Sequence, residues 1–244
     1  MIGAVRAILY NDALRLLRDQ FLVGASAYIV ALAVALRWVA PWAEAELSAS
    51  AGFSLAPYVP LAVSYFALVN STVLTGMLGG FLLLETREER AIHALRVTPT
   101  PLWLHLAALG AVVLAAGFAL MLTEAAIIGV GVPAAGPAAA AAALVAPMGI
   151  VFALILASAA SNKVEAFAVM KMTGFLGLVP IGAYFLPEPW QHLAGVVPVY
   201  WGCKLWWMAA AGEAGWAWLV GPGLLCSAAW IGLLLRRFQA VSSR

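Results

Sequence analysis

Charge is what this sequence has least of. Of its 244 residues only 10% are Asp, Glu, Lys or Arg and 65% are hydrophobic, where a soluble domain carries about a quarter charged and about half apolar. A soluble core of this size has no room for so much apolar surface, because folded proteins still expose much of what they carry. The composition excludes an ordinary soluble domain and implies a polytopic membrane protein with lipid around its outer faces. The net charge of +2 is small, and no clustered basic face points to nucleic acid. Cysteine is nearly as scarce. Cys203 and Cys226 both lie in apolar surroundings, too few for a disulfide framework or a metal site, so they are expected to be buried free thiols. The histidines, His93, His105 and His192, lie far apart and make no metal site. No Asp falls within a long apolar run, so the nucleophile-and-base or paired-carboxylate arrangement of an intramembrane hydrolase is missing.

No signal peptide is expected either. MIGAVRAILYNDALRLLRDQ carries charge throughout and lacks a compact apolar region followed by a cleavage site. As a helix it sets Ile2, Val5, Leu9, Ala13 and Leu16 on one stripe and Asn11, Arg15 and Arg18 opposite. Such a helix over 1–20 suits the membrane interface, or simply extends the first span into the cytosol.

Long apolar runs are what the chain does have. With roughly 20 apolar residues needed per crossing, six spans are expected at about 21–43, 57–84, 103–129, 138–160, 166–186 and 216–236. GVPAAGP turns the third into the fourth, and SNKVEA separates the fourth from the fifth. With both termini cytoplasmic, eleven of the thirteen Lys and Arg residues fall inside, and only Arg37 and Lys204 fall outside. That asymmetry follows the positive-inside rule. Between spans five and six, 187–213 is apolar yet broken by Pro187, Pro189, Pro198 and Gly202. Two short helices dipping into the outer leaflet are expected there, with Trp190, Tyr200, Trp201, Trp206, Trp207, Trp216 and Trp218 as an interfacial belt. The fold class expected is all-α integral membrane, one domain over 1–244.

One stretch stands apart. LLLETREERAIHALRVTPTP, residues 82–101, gathers Arg87, Arg90 and Arg96 with Glu85, Glu88 and Glu89. In this topology it is the cytoplasmic connection between spans two and three. Ile92 and Leu95 share a helical face, Glu88 lies one turn before Ile92, and Pro99 and Pro101 stop the helix. A short amphipathic helix with apolar anchors in a polar rim is what docking on a soluble partner requires; a solvated hairpin over two spans is the plainer reading.

ETREERAIHALRVTPTPLWLH resembles the coupling-helix region of type-2 ABC exporter permeases, with Glu85, Glu89, Leu95, Thr98 and Pro99 matching the pattern. Arg90 and Ala91 stand where that family usually has Gly and Thr, and a Glu-Arg pair here is similar to small drug-export permeases, the fluoroquinolone-export ones included. The resemblance implies a single permease domain in a bacterial cytoplasmic membrane, paired with a second copy or a homologous permease. It implies a separate ATP-binding subunit docked on Glu85, Glu88, Glu89, Arg90, Ile92, Leu95, Thr98 and Pro99. No Gly-x-x-x-x-Gly-Lys-Ser/Thr occurs in the chain, so ATP and Mg would bind that partner, with no cofactor in this chain. The cargo expected is a hydrophobic or amphipathic drug or lipid-like molecule. A haem-export permease of the same superfamily, or a channel or scaffold outside it, is the alternative.

The resemblance also implies a substrate path along the dimer interface, near spans one, two and five. The second span is the most polar, with Ser64, Ser71 and Thr75 on one face and Asn70 and Thr72 flanking it. Ser64, Asn70, Ser71 and Thr75 are the candidate path residues, although polar groups in a span more often bond to neighbouring helices or their own backbone. Gly76-x-x-x-Gly80 is a candidate dimer seam. Glu124, Lys171 and Arg37 are expected to reach the interfaces.

Overall fold

The structure, a computed structural model, describes residues 20–88 and 102–242. Every regular element among them is helical. Six stretches are long and apolar enough to cross a membrane: Val23–Ala51, Ala56–Thr86, Leu106–Ile128, Ala135–Ala159, Val164–Tyr184 and Trp216–Val241. They match the six expected runs, with one clear difference at the first. Helix α1, Gln20–Ala51, runs through Pro41 and on past residue 43, because the following segment is rich in Ala, Glu and Leu, all strong helix formers. The amphipathic helix expected over 1–20 lies outside the described residues, apart from Gln20.

The turns at 52–55, 129–134 and 160–162 are short, so the spans they join run antiparallel. One end of the bundle therefore carries the 52–55 and 129–134 turns together with the 187–215 segment, and is called here the 187–215 end. Span 2 is built from a 3₁₀ turn (Ala56–Tyr58), α2 (Val59–Ser64), a π-helical segment (Tyr65–Asn70) and α3 (Ser71–Glu88). Span 3 lies in α4, Leu102–Ile128. Span 4 is α5 (Ala135–Val145) followed by α6 (Pro147–Ala159); Pro147, lacking an N–H, sits at the first position of α6 where no donor is needed. Span 5 is α7 (Lys163–Thr173) and α8 (Phe175–Tyr184). The start of α7 explains why SNKVEA separates two spans. Asn162 Oδ1 accepts from the Glu165 N–H at 2.9 Å, and Glu165 Oε2 accepts from the Ser161 N–H at 2.8 Å. Donors otherwise orphaned at a helix start are thereby satisfied reciprocally.

Spans 2 and 4 form the centre. Their closest approach is between α3 and α6, where glycines remove side chains. A Cβ on Gly76 would lie 2.5 Å from Phe152 Cβ and 2.9 Å from the Gly149 carbonyl oxygen; one on Gly80 would lie 2.8 Å from Leu156 Cβ. The Gly76-x-x-x-Gly80 spacing is thus already used within the chain, against span 4, and not as the dimer seam read from the sequence. Close helix contact of this kind supplies the dispersion contacts that hold spans together where lipid removes the hydrophobic drive.

Two short helices lie within 187–213: a 3₁₀ helix, Trp190–Val196, and α9, Val199–Ala210, with Pro198 at its N-cap. Helix α9 packs against α5. Gly202 makes this possible, since a Cβ there would meet Val145 Cγ2 and, at 2.9 Å, the Ala141 carbonyl oxygen. The rings of this region do not form one belt. Tyr200 and Trp206 are fully buried and Trp207 is 8% exposed, whereas Trp190 and Trp218 are open. The inward indoles are fastened by their N–H groups: Trp206 Nε1 donates to the Gly131 carbonyl at 3.0 Å and Trp207 Nε1 to Ser64 Oγ at 2.8 Å. A buried indole needs such a partner, and both bonds cross to other elements, so these rings join the segment to span 2 and to the 129–134 turn.

Candidate functional site

Span 2 has two faces with different chemistry, and its π-helical segment supplies Tyr65 and Phe66 to the aromatic one. The polar face turns into the protein. Ser64 is buried, donates to the Leu61 carbonyl at 2.9 Å and receives the Trp207 indole N–H. Ser71, the first residue after the π segment, donates to Oε1 of Glu124 on span 3, and both are buried. Thr75 donates to the Ser71 carbonyl at 2.9 Å, and Thr72 to the Leu68 carbonyl at 2.8 Å. Asn70 differs: it is half-buried and has no side-chain hydrogen bond among the described residues. Of the candidate path residues, Ser64, Ser71 and Thr75 are therefore occupied inside the protomer, and Asn70 is the one with free bonding capacity.

Glu124 does not reach the interface expected for it. It sits one turn before the end of span 3 and points inward to Ser71, because a carboxyl in lipid without a partner costs far more than one bonded in the bundle. Lys171 is exposed. Lys204, expected on the outside, is 9% exposed and pairs with Glu188. Both cysteines are free, Cys203 buried and Cys226 half-buried.

The aromatic face of span 2 opens onto a groove of about 600 Å³, formed with the 52–55 turn and the end of span 5. That volume lies within the range of small-molecule sites, about 300–1,000 Å³. Its lining is Phe53, Leu55, Tyr58, Leu61, Ala62, Tyr65, Phe66, Ile181 and Phe185. Phe53 stacks on Tyr58 at 5.9 Å, Tyr58 meets Phe185 at 6.1 Å, and Tyr65 meets Phe66 edge-on at 5.7 Å. The groove's floor is tied down at two points. Glu44 on α1 accepts from Ser54 Oγ at 2.9 Å and from the Leu55 N–H, and the Tyr184 hydroxyl donates to the Pro57 carbonyl. This is a preformed apolar surface of ring faces and edges, suited to a flat aromatic guest. The sequence pattern of span 2 does not single these residues out; its polar Ser64 and Asn70 stand out instead. The adjacent Tyr65 and Phe66 were the available signal.

A groove of this kind, on the six apolar helices of the described residues, suits a transport subunit. The family model described as "Fluoroquinolones export permease protein Rv2686c-like" matches residues 12–235. The chain belongs to this family. Two curated relatives are similar to it: fluoroquinolones export permease protein MT2760 of Mycobacterium tuberculosis (strain CDC 1551 / Oshkosh) and fluoroquinolones export permease protein Rv2686c of Mycobacterium tuberculosis (strain ATCC 25618 / H37Rv). Each is 31% identical over 240 residues, covering 97% of this chain and 94% of the relative. The chain is accordingly a multi-pass membrane protein of permease type, a transport subunit. Of the permease's expected docking residues, Glu85 is half-buried on the last turns of α3 and Glu88 ends that helix. Glu89, Arg90, Ile92, Leu95, Thr98 and Pro99 lie outside the described residues.

Proposed function

We propose that this permease is the membrane-spanning half of an ATP-driven ABC exporter that moves aromatic, amphipathic drugs, fluoroquinolones among them, out of a bacterial cell across its cytoplasmic membrane. The observation that carries the reading is the aromatic groove beside the π segment of span 2, taken with the drug-export names of both relatives. Both termini face the cytoplasm, and the 187–215 end faces out, in keeping with eleven Lys and Arg residues on one side and two on the other. The two short helices of 187–213 then sit in the outer leaflet.

Two permease chains pair, and each binds an ATP-binding subunit that holds ATP and Mg. Glu85, Glu88, Glu89, Arg90, Ile92, Leu95, Thr98 and Pro99 form the docking surface, a reading supported by their sequence pattern. Nucleotide-driven closure of the ATPase pair favours one of two permease states through different contacts with this surface. Drug binds the rings along span 2, and Asn70, with its free amide, offers a polar contact on the same span. Ser64, Ser71 and Thr75 contribute by holding the span in the shape that exposes those rings. A π turn inside a helix is frequent at functional sites, and one here gives span 2 a point at which to bend between states.

Co-purification with an ABC ATPase and drug-stimulated ATP hydrolysis in proteoliposomes test the proposal. Glu89→Arg and Leu95→Arg are expected to leave drug binding intact and abolish the stimulation. Full stimulation in both variants would remove the docking assignment; failure of any ATPase to co-purify would remove the exporter reading itself.

A further inference from the structure

Arg37 lies within the apolar run of span 1, on a helix most of whose surface is exposed. An arginine in an apolar run is costly unless its charge reaches the interface or a partner. One of its five N–H donors is accounted for: Nη1 donates to the Ile127 carbonyl at 2.8 Å, at the C-terminal end of span 3. Gly129 makes room for the guanidinium. Its φ of +69° disfavours any other residue, and a Cβ there would stand 3.2 Å from Nη1. No carboxylate among the described residues pairs with Arg37. Glu44, on the same helix, is engaged with Ser54 and Leu55.

Arg37 lines a groove of about 540 Å³ between span 1 and the end of span 3, together with Trp38, Pro41, Trp42 and the 128–130 turn. Trp38 and Trp42 lie one turn apart on one helical face, and are 70% and 65% exposed. Exposed indoles of this kind settle at headgroup level. The other cation assigned to this end, Lys204, is buried and paired with Glu188. Arg37 is therefore the accessible cation of the 187–215 end among the described residues. A planar guanidinium fixed by one bond presents its other N–H groups in a fork that matches phosphate oxygens. Apolar walls beside that fork suit the start of acyl chains. The groove is built from spans 1 and 3, apart from the span 2 and span 5 rings.

We propose that Arg37, Trp38, Trp42 and the Gly129 turn bind the phosphate of a phospholipid headgroup in the leaflet at the 187–215 end, clamping span 1 to span 3 through the lipid. This does not rest on the exporter reading.

Thermal unfolding of the delipidated permease in detergent, titrated with dioleoylphosphatidylglycerol, dioleoylglycerol or inorganic phosphate, tests it. Phosphatidylglycerol is expected to raise Tm saturably, and dioleoylglycerol, which lacks the phosphate, to do nothing. Arg37→Gln is expected to weaken the phospholipid response at least about tenfold, and Arg37→Lys to recover part of it, since an ammonium cannot fork. The double variant Trp38→Ala/Trp42→Ala keeps the bond to Ile127 and is expected to weaken the response as well, which serves if Arg37→Gln does not fold. An unchanged phosphatidylglycerol response in Arg37→Gln or in the double variant would overturn the site. An equal response to inorganic phosphate alone would overturn the lipid as its ligand.

Discussion

The hydroxyl of Ser71 donates to the carboxyl of Glu124, joining span 2 immediately after its π segment to span 3. Both groups are buried, Glu124 at 1% exposure. Replacing Glu124 with Ala leaves the hydroxyl without its acceptor and opens a hole between the spans. A loss of about 1–3 kcal/mol is expected for an orphaned buried polar group. Glu124→Gln keeps an oxygen that accepts from Ser71 and is expected to lose much less. Tm in detergent for the two variants checks the contrast; equal losses would show that the bond itself contributes nothing.

Gly76 and Gly80 are filled by span 4 of the same chain. Gly76→Val forces branched methyls where a single Cβ already lies 2.5 Å from Phe152 Cβ. Overpacking of a tight core costs typically about 1–3 kcal/mol. The variant is expected to melt earlier with an unaltered oligomeric state on sizing columns. Dissociation into single chains without a change in Tm would restore the dimer-seam reading.

Drug recognition along span 2 is expected to depend on rings. Tyr65→Ala and Phe66→Ala each remove an aromatic surface worth about 0.5–1.5 kcal/mol beyond its area, and should weaken fluoroquinolone binding several-fold in fluorescence titrations. Tyr65→Phe keeps the ring and is expected to bind nearly as wild type. If neither alanine variant binds more weakly, the groove is not where drug sits.

Stability should also carry an acid limb from the 187–215 segment. The Lys204 ammonium, by hydrogen bond and charge, holds the Glu188 carboxyl below the usual glutamate value. A depressed folded-state value stabilises above the unfolded one, about pH 4.3, and the contribution fades as pH falls through the folded value. Wild type is therefore expected to melt above Glu188→Gln at pH 7, the gap closing on acidification below the ordinary carboxylate range. Salt should narrow it too, because Glu188 is largely exposed. A gap that persists in acid would show that the charge pair is not its source.

Much of the architecture was legible because lipid imposes a simple demand: each crossing needs one long apolar helix, and the runs print themselves along the chain. The 3.6-residue period likewise put Ser64, Ser71 and Thr75 on one face of span 2. What that face meets could not be read. A polar row looks the same whether it lines a path or bonds its neighbours, and only the positions of Trp207 and Glu124 show it turned inward. Glu124 looked interfacial from its place near a helix end, and Gly76 and Gly80 looked like a seam for a second copy. Both were decided by which neighbour happened to lie opposite.

Sequence by itself determined the class of protein, the number of spans and the place of the broken 187–213 segment, since these follow from local composition against a fixed membrane thickness. Tertiary structure alone decided which rings are core and which line the groove, that span 2 carries a π turn, and that Arg37 rests on the end of span 3. Those depend on contacts between residues as far apart as 90 or 143 positions, which no local pattern encodes.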